Sequence, residues 1–276
     1  MAEESSGGTP PADPSSRGSP QSEPEYLTVT SGLPRIRSIA LDAPRGWLAK
    51  GWMDLKAGKS ASVFYGIALA LMGAILTQAW DKGAIELAFL TGFLLIGPFV
   101  LMGLYDISRR VERGERPALA GTMTAWKANV PAIGFFGLIL ALLFAVWVRI
   151  SVVVVALFFP EGVPGAEQLA RQLAESPEPI AFIGAYFAAG FGFALFVFAT
   201  SAVSLPMLLD RPKMDALSAM ITSVNALRLN FWPMLLWAMI VVVLTALGFA
   251  AFYLGLVVIL PWIGHATWHA YREVVE

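Results

Sequence analysis

FWPMLLWAMIVVVLTALGFAAFYLGLVVILPWI, residues 231–263, contains no Asp, Glu, Lys, Arg or His. As one helix it would run about 50 Å, against a bilayer core of about 30 Å. One helix overshoots and two are tight, with Gly248 and Gly255 as places to break and Trp268–Tyr271 as the continuation toward the interface. Four more apolar runs precede it: Val63–Trp80, Leu87–Tyr105 with Pro98 as a kink, Val130–Phe159 and Ile180–Leu205, which ends at Pro206. Two helices in the last run give six transmembrane helices; one gives five. The whole composition agrees. Of 276 residues, 57% are hydrophobic and 14% charged, where soluble domains carry about 25% charged residues, and the mean hydropathy is +0.67. The fold class is therefore an all-α polytopic membrane bundle.

Exclusions follow from the same counts. With no cysteine there is no disulfide, thiolate metal site or Cys nucleophile. A net charge of −1 provides no basic field for nucleic acid. No nucleophile elbow, Walker A loop, H-E-x-x-H pair or dinucleotide fingerprint occurs, and no Ser or Thr has an adjacent His base, so the sequence offers neither an enzyme's constellation nor a cofactor motif. Residues 1–33 are rich in Ser, Gly and Pro with mostly acidic charges, and read as a disordered, solvated tail rather than a cleaved leader. The membrane domain is 34–276.

Charge placement orients the chain. In the six-helix arrangement sixteen Lys and Arg fall on one side, and only Lys82 and Arg171 on the other. The positive-inside rule then puts both termini in the cytoplasm. The outer loop 160–179 is net acidic. Asp106/Arg110 and Glu112/Arg116, spaced i,i+4, predict that the second helix runs on through Glu115. Three amphipathic segments precede the hairpins: Trp47, Leu48, Trp52 and Leu55 opposite Lys50, Asp54 and Lys56; Leu119, Met123, Trp126 and Val130; and Met214, Leu217, Ile221 and Val224, with Asp215, Ser218, Thr222 and Asn225 elsewhere. They read as interfacial helices with their apolar sides among the headgroups. The plan is three units of interfacial helix plus hairpin, 42–105, 117–205 and 214–272.

Three groups of residues are candidates for function. Gly184, Ala188 and Gly192, and likewise Gly66, Ala70 and Ala74, form small-residue stripes that let helices approach closely, within the bundle or in a homo-oligomer or partner interface. Arg149 is the one charge inside an apolar run. About 28 Å along its helix, it can snorkel beside Trp147, pair with Glu86 or Asp81, or serve as the anion-binding charge of a permease. His265 and His269 share a helix face at i,i+4, as two metal ligands would, or form a polar–aromatic collar with Trp262, Trp268 and Tyr271.

The segments LTGFLLIGPFVLMGLYDISRRVERGE (90–115), SLPMLLDRPKMDA (204–216) and GHATWHAYREVV (264–275) resemble a bacterial family of integral membrane proteins, domain of unknown function 2189. The resemblance runs from about Leu33 to the C-terminus. It implies a six-helix-type inner-membrane protein with no assigned chemistry. Some members carry the label of cytochrome c oxidase subunit I; a haem-copper core needs six histidines, and this chain has two. What survives of that label is association with a respiratory complex. The leading expectation is a non-enzymatic structural or accessory membrane protein. The alternatives are a small-solute permease or channel using Arg149 and the breaks at Gly97–Pro98 and Gly248, and metal or haem handling through His265 and His269.

Overall fold

The computed structural model describes residues 26–27, 32–78, 100–159 and 178–276. Two short strands, β1 (Tyr26–Leu27) and β2 (Ile36–Arg37), pair antiparallel, so backbone order reaches back into the segment expected to be a free tail. The helices are α1 (Ala43–Gln78), α2 (100–112), α3 (Leu119–Thr122), α4 (Val130–Phe158), α5 (Glu178–Ser201), α6 (Ser204–Asp210), α7 (Ala216–Leu229), α8 (Phe231–Ala250) and α9 (Leu256–Val274). Four stretches are long and apolar enough to cross a membrane: Ala43–Ile75, Leu119–Phe158, Ile180–Asp210 and Phe231–Ala250. The described residues thus contain four candidate spans and not six. Residues 79–99, which hold most of the second expected helix with Asp81, Lys82, Glu86 and Gly97–Pro98, lie outside the described residues, as do residues 160–177 of the outer loop.

The core sits at one end of the spans. Trp47, Phe136, Ile133, Met207, Leu208, Trp237, Trp268 and Tyr271 are almost wholly enclosed there, each burial stabilising by about 1.5–3 kcal/mol. Trp47 meets Trp237 edge-on at 5.6 Å. Asn230 fastens the strand segment to the start of α8, accepting from Ile39 N and donating to Arg37 O, both at 2.9 Å. Val275 bridges Ile36, so residues from both ends of the chain meet in one platform. Beyond it α4 and α5 stand with large apolar side chains exposed, Leu142, Val153, Phe187 and Phe191 among them.

Local chemistry moves several element boundaries from where hydropathy places them. The run 180–205 is helical only to Ser201, because Thr200, Ser201 and Ser204 turn their hydroxyls back onto Phe196 O, Val197 O and Thr200 O and compete with the helical ladder. The run 231–263 breaks at Ala251–Gly255, between the two glycines. There a Cβ on Gly248 would meet Leu256 Cδ2 at 2.4 Å and one on Gly255 would meet Gly248 Cα at 2.9 Å, so both glycines permit the close hairpin. The second helix stops at 112, with Gly114 at φ 74, and Glu112 turns to Arg272 rather than to Arg116.

The amphipathic segments also differ from their simple reading. In α1 the enclosed stripe is Trp47, Gly51, Asp54 and Gly58, so Asp54, expected on the water side, faces protein. The second segment is not one regular helix but α3 followed by a 3-10 turn, Ala125–Asn129. In α7 the small and polar residues Ala219, Thr222, Ser223 and Ala226 are enclosed, while Leu217 and Ile221 are exposed. That outward apolar side is what an interfacial helix presents to lipid.

Candidate functional site: a polar seam between α1, α2 and α9

Three helices converge on His265. α1 is broken at Lys59 (φ 42, ψ −117), and one turn later Ser62 faces α9. Gly51 lies so close to α9 that a Cβ there would sit 2.6 Å from Ala266 N, and Gly66 so close that one would fall 1.9 Å from Val257 O. Pro261 cannot donate to the Val257 carbonyl four residues back, and it is this carbonyl that lies against Gly66. From α2, Gly103 admits Tyr65, whose hydroxyl bonds Thr122 Oγ1 at 3.1 Å.

His265 is fully enclosed. Its Nε2 lies 2.9 Å from Ser62 Oγ and its Nδ1 2.8 Å from Ser108 Oγ. Burial pushes the imidazole down to about 4, the Asp54 carboxylate pulling the other way and His269 adding to the fall. A neutral ring has one donor and one acceptor, so one serine hydroxyl donates to the ring and the other accepts from it. His269 Nε2 bonds Asp54 Oδ2 at 2.7 Å, both side chains largely enclosed. The two histidines therefore hold α9 to α1 on either side of the break at Lys59.

A second layer of charge surrounds this seam. Asp106 is enclosed and takes both Arg109 and Arg110; Arg109 also donates to Leu209 O at the end of α6. Glu112 accepts from Trp268 Nε1 at 3.1 Å and from Arg272 Nε at 3.0 Å. Asp210 accepts from Tyr271 OH at 2.8 Å. Burial pushes the Tyr271 hydroxyl up to about 12. No fully buried side-chain nitrogen or oxygen among the described residues lacks a partner.

The remaining candidates fall elsewhere. Among the described residues no three His, Asp or Glu side chains gather as a metal shell would, and both nitrogens of His265 already have serine partners. Gly66 and Ala70 lie in the α1 packing seam, with Ala74 one turn beyond. Gly184, Ala188 and Gly192 are exposed, and a Cβ on Gly184 or Gly192 would meet nothing within 4 Å. The α4–α5 contact is made instead at Gly190, where a Cβ would meet the Trp147 ring at 3.3 Å; that ring stacks on Phe193 at 5.4 Å. Trp147 thus serves that seam. Arg149 is exposed beside a shallow apolar depression lined by Leu142, Val146 and Val153, and its suggested partners Asp81 and Glu86 lie outside the described residues. The serine pair and the Asp54–His269 bond were not legible beforehand. The only signal was the shared face of the two histidines.

Residues 86–210 match the family described as predicted integral membrane protein (DUF2189). That is the family the sequence resembles. The matched stretch contains Asp106, Ser108 and the α4–α5 pair, and the family description assigns no activity. No curated protein and no solved structure matches the chain.

Proposed function

We propose that this DUF2189 protein is a non-enzymatic component of the bacterial inner membrane, with its platform in the cytoplasm. In this reading it acts through lateral contacts of its spans, with a second copy or with another membrane complex such as a respiratory one. The observation that carries this reading is the contrast between the two ends of the molecule. Among the described residues the polar seam is closed and satisfied, and His265 is fully enclosed. By contrast, the most apolar windows of Leu119–Phe158 and Ile180–Asp210 have no residue buried within the described structure. Faces of that kind are free for lipid or for another membrane protein. An apolar groove of about 510 Å³ between α5 and α8, lined by Phe191, Leu195, Phe198 and Met239 among others, adds to that surface.

Crosslinking in native membranes, followed by mass spectrometry, tests the proposal. Lateral neighbours captured through photo-reactive residues at Gly184 or Phe187 support it. A chain that stays uncrosslinked and runs as a monomer from lipid nanodiscs overturns it.

A further inference from the structure

We propose that the α8–α9 hairpin does not cross the membrane: it enters from the platform side and turns back within the hydrocarbon, so that the acyl chains of the far leaflet cover its tip. Helix lengths give the first argument. Above its last platform residue, Gly137, α4 continues through 138–158 for about 31 Å, and α5 extends above Thr200 through 180–199 for about 30 Å, a full bilayer core. Above Trp237, α8 has only 238–250, about 20 Å, and α9 returns from Leu256 to the enclosed Ile263 in about 11 Å.

Packing against α1 agrees. Tyr253, in the hairpin turn, lies level with Gly73, 4.0 Å from a Cβ built there, while α1 continues to Gln78, about 7 Å farther.

Composition gives an independent argument. From residue 238 to residue 261 the only polar side chains are Thr245 and Tyr253. The other two hairpin connections in the sequence carry charges, Asp81, Lys82 and Glu86 in one and Glu161, Glu167, Arg171 and Glu175 in the other. In the turn Phe252 is 87% and Leu254 77% exposed, and the half-buried Tyr253 between them is the one polar side chain there. Hydrocarbon tolerates an irregular backbone only where its polar groups find partners in the protein. Here Leu254 N donates to Ala251 O at 3.1 Å, Leu256 N to Tyr253 O at 3.0 Å and Val257 N to Leu254 O at 3.2 Å.

The natural absence of cysteine makes the test clean. Phe252→Cys and Leu254→Cys are prepared separately, with the exposed Arg116→Cys as reference, in unilamellar vesicles opened so that both faces meet a membrane-impermeant maleimide. The expected result is labelling of the reference and loss of labelling at 252 and 254. A bimane attached at either tip position before reconstitution is then quenched more by lipids brominated near the chain ends than by those brominated near the headgroup. Labelling at the reference rate overturns the proposal. So does protection from labelling without quenching by either lipid, which would mean that protein rather than acyl chain covers the tip.

Discussion

Gly66 and Gly184 look alike in the sequence, each the first member of a small-residue stripe on an apolar helix, and the structure separates them. Gly66 lies against the carbonyl freed by Pro261, whereas Gly184 faces open space. Gly66→Ala should therefore destabilise by about 1–3 kcal/mol, while Gly184→Ala stays within about 0.5 kcal/mol; unfolding of the detergent-solubilised protein measures both. The histidines make a similar contrast. His265→Ala leaves Ser62 and Ser108 buried without their partner and should cost about 1–3 kcal/mol. Because the folded imidazole titrates below its ordinary value of 6.5, near 4, the unfolded chain takes up the proton first. Stability is whole above pH 6.5 and drains away as pH falls toward 4. Thermal midpoints between pH 7.5 and 5 should fall less in His265→Ala than in the parent, and equal slopes would refute this.

Elements were read from the sequence with uneven success, for identifiable reasons. α4 begins at Val130 as hydropathy places it and ends at Phe158, one residue short of the expected Phe159, because nothing in the run competes with the backbone ladder. The break in 231–263 was legible because 33 residues do not fit one crossing. By contrast, the end of α5 depends on three hydroxyls that a hydropathy window averages away, and the inward turn of Asp54 depends on His269, 215 residues distant. The seam itself was hidden for the same reason: Ser62 and Ser108 acquire meaning only when three helices meet. Caps are a middle case, visible locally. Asp215 caps α7, its side chain accepting from Ser218 N at 2.8 Å. Asp215→Ala should cost about 0.5–2 kcal/mol. The hydrogen bonds from Ser218 hold the Asp215 carboxyl below its ordinary range, so this stabilisation is present above that range and is lost as acid protonates the group. The Asp215→Ala penalty measured at neutral pH should shrink in acid, and a penalty independent of pH would count against the cap.

At the scale of the molecule, a closely packed platform carries spans that, among the described residues, share few contacts with one another. The platform joins residues far apart in the chain: Ile36 with Val275, and Trp47 Nε1 with Glu273 Oε2 at 3.0 Å. Introducing cysteines at Ile36 and Val275 should give efficient disulfide formation in membranes, detected as a mobility shift reversed by reductant. Failure to oxidise would mean that Val275 does not bridge Ile36. The Trp47–Glu273 bond spans 226 positions, and this separation dictates an order of events during synthesis. The first four apolar runs leave the ribosome before α9 exists to dock, so they enter the bilayer while the platform is still unassembled. Closure by α9 then acts as a late checkpoint: a nascent chain stalled before residue 256 should be inserted correctly yet remain open to protease around Trp47.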